Sequence, residues 1–366
     1  MKDKKRKSGF KVVDIFSGCG GLSYGFETEG YNVLLGIDNW MDSLVTFRHN
    51  HKDSSILCED ISKITKKDIE KIIGLNSVDV LVGGPPCQGF SLAGKRDNND
   101  NRNKLVMDYV RIVSELNPKF FVLENVLGLL SMKDEKNNLV IDNLKKAFSR
   151  IGYKISYKPL FAHHYGVPQK RQRVFIVGNR LGIDFEFPEP THNGKEKSFV
   201  TVGDAISDLP LLDNDFGEES VGYKYSPKSD YQDMMRKNSK LLINHTKSAH
   251  SEQTIKVIGH VPEGGNWKDL PARYQNIRSY SNTWRRLDSK LPSVTIDTGH
   301  RHHFHYKANR VPTVRESARL QSFPDTFEFK GTRTSQFKQV GNAVPPLLAK
   351  AVAKKIKSYI EKNEQN

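Results

Sequence analysis

Cys87 stands in GGPPCQGFS (residues 83–91), directly behind two prolines and at the end of the apolar run VDVLVGG. A core cysteine packs wherever there is room, as a small hydrophobe. A nucleophilic sulfur has to be aimed, and a proline-stiffened backbone at the tip of a strand can aim it. Two further groups complete a reactive set. Glu124, in LENV, ends another apolar run, and Arg171 and Arg173, in QKRQRVFIVG, are two residues apart, so on a strand they face one side. One chemistry uses all of them. A thiolate adding to carbon 6 of a cytosine ring makes carbon 5 electron-rich, able to attack an electrophilic methyl group, and the addition needs a proton donor at ring nitrogen 3. Glu124, held near an apolar pocket, would have a raised pKa and act as that acid near neutral pH. The arginines would hold the ring's carbonyl oxygen and adjacent phosphate or carboxylate groups. Taken singly, each group has a plainer use: Glu124 as a helix-capping acid, the arginines as a solvated face.

A second constellation lies at the start of the chain. VVDIFSGCGGLSYGF reads as a strand, a glycine-rich turn and a helix, and Gly18, Gly20 and Gly21 allow close backbone approach to a ligand at the helix start. The dinucleotide fingerprint asks for a third glycine where Ser23 stands, so a pyrophosphate site is poorly matched. Asp38 ends the next strand, twenty residues after Gly18, where an acid would bond ribose hydroxyls. Asp60 ends the third strand and could accept from an adenine amino group. An adenosine cofactor without phosphates fits this pattern, S-adenosyl-L-methionine first among them; a purely structural glycine turn is the alternative.

These residues sit at the ends of short apolar runs that alternate with helical patterns from residue 11 to about 180. The runs are KVVDIF, NVLLGID, SSILCED, VDVLVGG, KFFVLEN, KISYKPLFA and RVFIVGN. Between them, Leu105, Tyr109, Ile112, Val113 and Leu116 share one helical face, as do Val140, Leu144, Ala147, Phe148 and Ile151. Strands alternating with amphipathic helices predict a doubly wound, mostly parallel α/β sheet with ligands at the carboxyl ends of its strands. Residues 1–185 form the expected large domain. Residues 186–300, rich in Pro, Gly, Asn, Ser, Lys and Tyr, read as a smaller irregular domain. Residues 301–366 resume regular structure and are expected to fold back onto the large domain. Thr313 and Glu316 are spaced as a capping box, and the last helix carries Val352, Ile356 and Ile360 on one face.

The chain has 366 residues, 37% hydrophobic and 10% aromatic, a composition that folds rather than stays disordered. Its formal net charge of +15 points to a polyanionic partner, most often nucleic acid. A merely basic soluble protein is the bland alternative. Three cysteines, Cys19, Cys58 and Cys87, make no disulfide framework, which favours a reducing cytoplasm. No span approaches the roughly 18 apolar residues of a membrane helix. MKDKKRKSGF is basic without a following apolar signal core and reads as a frayed tail.

In order along the chain stand DIFSGCGG, GGPPCQGFS, ENV, QKRQRVFIVG, RESARLQSFPD and QVGNAVPP. With these motifs the sequence resembles the bacterial cytosine-5 DNA methyltransferases over most of its length. The resemblance implies the fold of class I S-adenosylmethionine-dependent methyltransferases and an enzyme that flips cytosine out of duplex DNA and methylates carbon 5 through a covalent Cys87 adduct. It implies that Phe16 stacks near the adenine, that Asp38 takes the ribose and Asp60, with Ile61 beside it, the adenine edge. Leu105 and Asn342 line the cofactor site, and Pro86, counted with them, fixes the nucleophile's approach; Glu124 engages the flipped cytosine, and Arg171 and Arg173 support it and Cys87. The family usually has Glu at the position of Asp38, which lengthens that contact or bridges it by water.

The same resemblance makes residues 186–300 the target-recognition region, with RYQNIRSYSNTWRRLD and TGHRHHFHYK offering phosphate, base-edge and stacking contacts. His300, His302, His303 and His305 could instead suggest metal, but no cysteine or acid completes a ligand set nearby, and no metal is expected. The implied setting is a bacterial cytoplasm, a monomer on double-stranded DNA, in a restriction-modification system with an endonuclease partner and no membrane. An RNA cytosine methyltransferase and a catalytically inactive DNA-binding homologue are the competing readings. SLAGKRDNNDNRN, residues 91–103, reads as a segment that closes over bound DNA.

Overall fold

Seven apolar runs become the strands of one sheet, and its order is what sets the site. A computed structural model of the chain describes residues 9–74, 77–86, 102–134, 136–213, 215–275, 283–299 and 302–365. Cys87, His300 and most of the segment expected to close over DNA therefore lie outside the described residues, as does most of the basic start; Arg102 already opens a helix. The chain divides into two compact units. The first comprises Met1–Phe161, Gln172–Glu189 and Leu348–Asn366, the second Ala162–Arg171 and Pro190–Leu347. These divisions differ from the segments read off the sequence: residues 162–171 and 301–347 cluster with 190–300, and only Leu348 onward joins the sheet.

In the first unit the strands are β1 (Lys11–Ile15), β2 (Asn32–Asp38), β3 (Ser55–Cys58), β4 (Val80–Gly83), β5 (Phe120–Asn125), β6 (Lys154–Phe161) and β7 (Gln172–Asn179). They lie in the order β3-β2-β1-β4-β5-β7-β6. β1 to β5 pair in parallel, whereas β7 runs antiparallel to both β5 and β6. The chain passes from Phe161 to Gln172 without the dozen or more residues that a parallel crossover needs, so the last strand must reverse. β1, β4 and β5 are buried almost throughout, which is why they read as continuous apolar runs.

Alternation along the strands splits the core between two faces. Val13, Ile15, Leu35, Ile37, Leu81, Phe121 and Leu123 form one core with buried residues of three helices, Lys66–Ile73, Arg102–Leu116 and Val140–Arg150. Of the anticipated helix faces, Tyr109, Ile112, Val113, Leu144 and Phe148 are fully buried, and Leu105, Leu116, Val140, Ala147 and Ile151 pack partly buried against them. The Tyr109 hydroxyl donates to the Val122 carbonyl at 2.8 Å and thereby ties its helix to β5. Val12, Val33, Val80, Val82, Phe120 and Val122 are equally buried on the opposite face. The helix Pro346–Gln365 buries Val352, Ile356 and Ile360, and the Ala353 carbonyl accepts the Tyr31 hydroxyl at 3.0 Å.

The second unit is held by buried charge. The helix Val314–Leu320 opens with the Thr313–Glu316 capping box, Thr313 N donating to Glu316 Oε2 at 2.7 Å and Glu316 N to Thr313 Oγ1 at 3.1 Å. Glu316 does more than cap. Both its oxygens accept from Arg310 at 2.7 Å, and although burial pushes this carboxyl upward, the Arg310 charge wins and holds it well below the usual range. Arg319 bonds Asp325 at 2.9 and 2.7 Å and Asp208 at 2.5 Å, while Arg315 donates to the carbonyls of Ile243, Pro324 and Phe327. Paired in this way, the charges of RESARLQSFPD occupy the interior.

The candidate histidines have separate structural duties here. His302 Nδ1 lies 2.9 Å from Asp297 Oδ2, and His305 is buried, its Nδ1 accepting the amides of Lys307 and Ala308. Burial pushes His305 down to about 4. Among the described residues no group of three metal-capable side chains assembles, and no helix is long and apolar enough to cross a membrane.

Candidate active site

The glycine turn is built where β1 ends, at the point where the strand order reverses between β1 and β4. Phe16 leaves β1 in the left-handed region (φ 59°) and packs partly buried against the same core as Leu105. Gly20 caps the helix Gly21–Thr28 with φ 93°, and a Cβ there would fall 2.1 Å from His51 Nε2, so both backbone and space demand glycine. Gly18 also has positive φ, but a Cβ there would meet nothing within 4 Å: the turn is open on that side.

Asp38 closes the cradle. Its Oδ2 accepts Gly18 N and its Oδ1 accepts Trp40 N, each at 2.9 Å. The acid expected to hold a ribose thus also pins the turn to the end of β2. Asp60 accepts Ser62 N at 2.9 Å and Ser62 Oγ at 2.8 Å through Oδ1, and these bonds hold its pKa below the ordinary value. Ile61 is buried in the core, its carbonyl accepting Arg111 Nη2 at 2.7 Å. This fixes the turn that carries Asp60 to the helix Arg102–Leu116.

The donor set fits an adenosine cofactor better than a pyrophosphate. No basic side chain occupies residues 16–25, and Ser23 points its hydroxyl inward, to Asp14 Oδ2 at 2.6 Å. An open glycine turn beside a carboxylate suits a ribose and a small zwitterion. Asp38→Asn should therefore weaken cofactor binding nearly as much as Asp38→Ala. An amide group cannot accept both backbone N–H bonds, and the loss is roughly 1.5–3 kcal/mol, on the order of tenfold to a hundredfold in affinity. Calorimetric titration with the cofactor checks this; an unchanged affinity in Asp38→Asn would show that the second bond is idle.

Asp14, which sequence reasoning passed over, lies beneath this turn. It is buried, and burial pushes its pKa up to about 7, with the nearby Asp38 charge adding to the rise against the lowering Ser23 bond. The only signal was an acid between VV and IF in an otherwise apolar strand. A folded state that raises an acid's pKa binds its proton more tightly than the unfolded chain. The stabilisation is full below about pH 4 and is lost as pH rises to about 7. The melting temperature of Asp14→Asn should accordingly gain on the parent between those limits and keep a constant lead above them. A lead independent of pH throughout would contradict the shift.

At the other side of the switch point, β4 leads through Gly83, Gly84 and Pro85 to half-buried Pro86, the last described residue before Cys87. Asn125 Nδ2 donates to the Pro85 carbonyl at 3.1 Å, so the end of β5 fixes the proline turn, a role that the sequence did not disclose. Glu124 precedes it. A Cβ on Gly84 would come 3.0 Å from Glu124 Oε2, and Arg173 Nε lies 2.9 Å from Glu124 Oε1. The setting of this acid is ionic, not the apolar pocket expected from sequence. Arg173 reaches it because β7 runs antiparallel to β5, placing Val174 opposite Asn125 and Phe175 opposite Glu124.

The two arginines do not share a strand. Arg173 is in β7, whereas Arg171 precedes it and belongs to the second unit. There Arg171 is buried and donates to the carbonyl of Asn342 at 3.5 Å, at the end of the helix Arg333–Asn342. The structure thus gathers Phe16, Gly18, Gly20, Gly21, Asp38, Asp60, Pro86, Leu105, Glu124 and Arg173 on the first unit and joins Arg171 to Asn342 on the second.

Residues 10–358 match the family model described as C-5 cytosine-specific DNA methylase. The chain is 38% identical to the type II methyltransferase M.DdeI of Desulfomicrobium norvegicum, covering 96% of this chain and 89% of that protein. It is 39% identical to the type II methyltransferase M1.HphI of Haemophilus parahaemolyticus, covering 94% and 86%. A solved structure of a prophage-encoded DNA modification methyltransferase of E. coli superposes with a TM-score of 0.79 at 28% identity, over 96% of this chain and all of that one. The chain belongs to the C-5 cytosine-specific DNA methylase family.

Proposed function

We propose that the protein methylates carbon 5 of a cytosine in duplex DNA with S-adenosyl-L-methionine as donor. The observation that carries this is the family match across residues 10–358, together with Glu124 and Arg173 paired at the mouth of the sheet, beside the turn that leads to Cys87. The target base is flipped from the stack, since its ring atoms are unreachable within it. The Cys87 thiolate adds to carbon 6, and Glu124 passes to nitrogen 3 a proton that it takes up from solvent as the base enters. The cofactor, when bound by the glycine turn, Asp38 and Asp60, supplies an electrophilic methyl group. A solvent base then takes the carbon 5 proton, the electrons of that bond expel the Cys87 thiolate, and the nitrogen 3 proton returns to Glu124, which restores the ring. Arg173 holds Glu124 in place.

The two closely similar relatives are type II methyltransferases, and we read this chain in the same way. It acts in the cytoplasm as a monomer and protects its own sites from a companion endonuclease. Radiolabelled methyl transfer to duplex DNA, with RNA of the same sequence as the second substrate, tests the proposal. Label in DNA alone, read as 5-methylcytosine at a short site by bisulfite sequencing, is expected. Label in RNA alone would overturn it.

Target choice resides in residues 186–300. Base readout needs side chains in a groove, and the motifs of the first unit are committed to cofactor and flipped base. A chimera carrying this segment from a relative of different specificity should methylate the relative's site. Retention of the original site would place recognition elsewhere.

A further inference from the structure

We propose that a cavity of about 250 Å³ in the second unit, framed by Asn266, Trp267, Lys268, Thr283, Trp284 and Arg285, reads one base pair of the DNA target, Arg285 presenting its guanidinium fork to a guanine edge. This rests on the methyltransferase reading above and adds to it the side chain through which sequence is read.

The cavity has a rigid floor. Trp284 and Phe304 meet edge to face at 5.4 Å in a core shared with Val257, Ile258, Val261, Leu270 and Val311, against which Trp267 and Tyr274 pack partly buried. Arg286 fastens that floor from within. Its guanidinium is buried and donates to the carbonyls of Val261, His305, Ala308 and Ile258 and to Asn309 Oδ1, at 2.6–3.0 Å. Adjacent arginines in WRRL therefore have opposite uses: Arg286 is structural and Arg285 is exposed.

The backbone under Arg285 is bonded on both flanks. It forms a bridge with Asn266, and its N–H donates to the His302 carbonyl at 2.9 Å. Trp267 N donates to the Trp284 carbonyl at 2.9 Å, which holds the indole beside it. Among the described residues the Arg285 guanidinium has no hydrogen bond or ion pair of its own. A phosphate needs only positive charge, which a flexible lysine supplies. A planar fork on a fixed backbone, with an indole for a wall, suits bidentate recognition of a base edge. The neighbouring surface offers phosphate and sugar contacts: Arg273 lies over the Tyr274 ring at 4.7 Å, and Tyr274 stacks on His260 at 5.2 Å.

The test compares the wild type with Arg285→Lys and Arg285→Ala on a randomised duplex pool, scored by bisulfite sequencing, with duplex affinity measured against salt. Both variants should lose discrimination at one position of the site by about fivefold to a hundredfold. Arg285→Lys should keep the salt dependence of the wild type, because charge remains while the fork is gone. Unchanged site preference would overturn the proposal, as would uniform loss across all sequences with a shallower salt slope, the mark of a phosphate contact. Should Arg285→Ala fail to fold, Arg285→Lys alone decides. A wild type that methylates no DNA in the pool would instead defeat the parent reading.

Discussion

Cys87→Ser is expected to lower methyl transfer to background while leaving duplex binding within a few-fold of the parent. The nucleophile is the thiolate, which a free cysteine, with a pKa of about 8.5, already supplies in part at neutral pH. A serine hydroxyl is scarcely ionised there and adds poorly to an aromatic carbon. The substitution takes away no positive charge, so binding carried by phosphate contacts should persist. Filter binding and methyl transfer measured on the same preparation separate the two effects. Retained transfer in the serine variant would remove Cys87 from the chemistry.

Arg319→Ala should be the most damaging change to stability. Arg319 is buried between Asp208 and Asp325, which are buried as well. Its loss leaves two carboxylates in the interior, Asp208 with Arg236 at 3.4 Å and Asp325 with Arg315 at 3.7 Å as the guanidinium groups that remain. Breaking a buried pair by removing one partner costs about 3–5 kcal/mol, a large part of the roughly 5–15 kcal/mol that holds a folded protein together. The pair Lys154–Asp184, at 2.8 Å but largely exposed, is the control: Lys154→Ala should cost less than ~1 kcal/mol. Urea unfolding of the two variants checks the contrast. Equal midpoints would mean that the buried lattice adds nothing.

The contrast between those ion pairs marks where sequence reading stops. The strands were legible because β1, β4 and β5 are buried on both faces and carry uninterrupted apolar runs. The Thr313–Glu316 box was legible because capping is a local pattern. The second partner of Glu316 was not, since nothing local sends Arg310 inward to meet it. Nothing local in RESARLQSFPD says that Arg315, Glu316, Arg319 and Asp325 are all buried. Likewise Glu124 and Arg173 are 49 positions apart in the sequence, and their 2.9 Å contact exists only because β7 turns antiparallel. A same-side pairing of Arg171 with Arg173 presumed a strand that begins one residue too late for it. The capture of the Pro85 carbonyl by Asn125 depends in the same way on β4 and β5 being neighbours.

The central claim is that carbon 5 is activated by a bond between Cys87 and the cytosine ring. Duplex DNA synthesised with 5-fluorocytosine in place of cytosine tests it most directly, because fluorine cannot leave as a proton does and the adduct cannot collapse. Incubated with the methyl donor and run on a denaturing gel, the wild type should form a covalent protein–DNA species, and peptide mass spectrometry should place the bond at Cys87. Cys87→Ser should form none. Absence of the species with the wild type, or an adduct located at another residue, would contradict the claim.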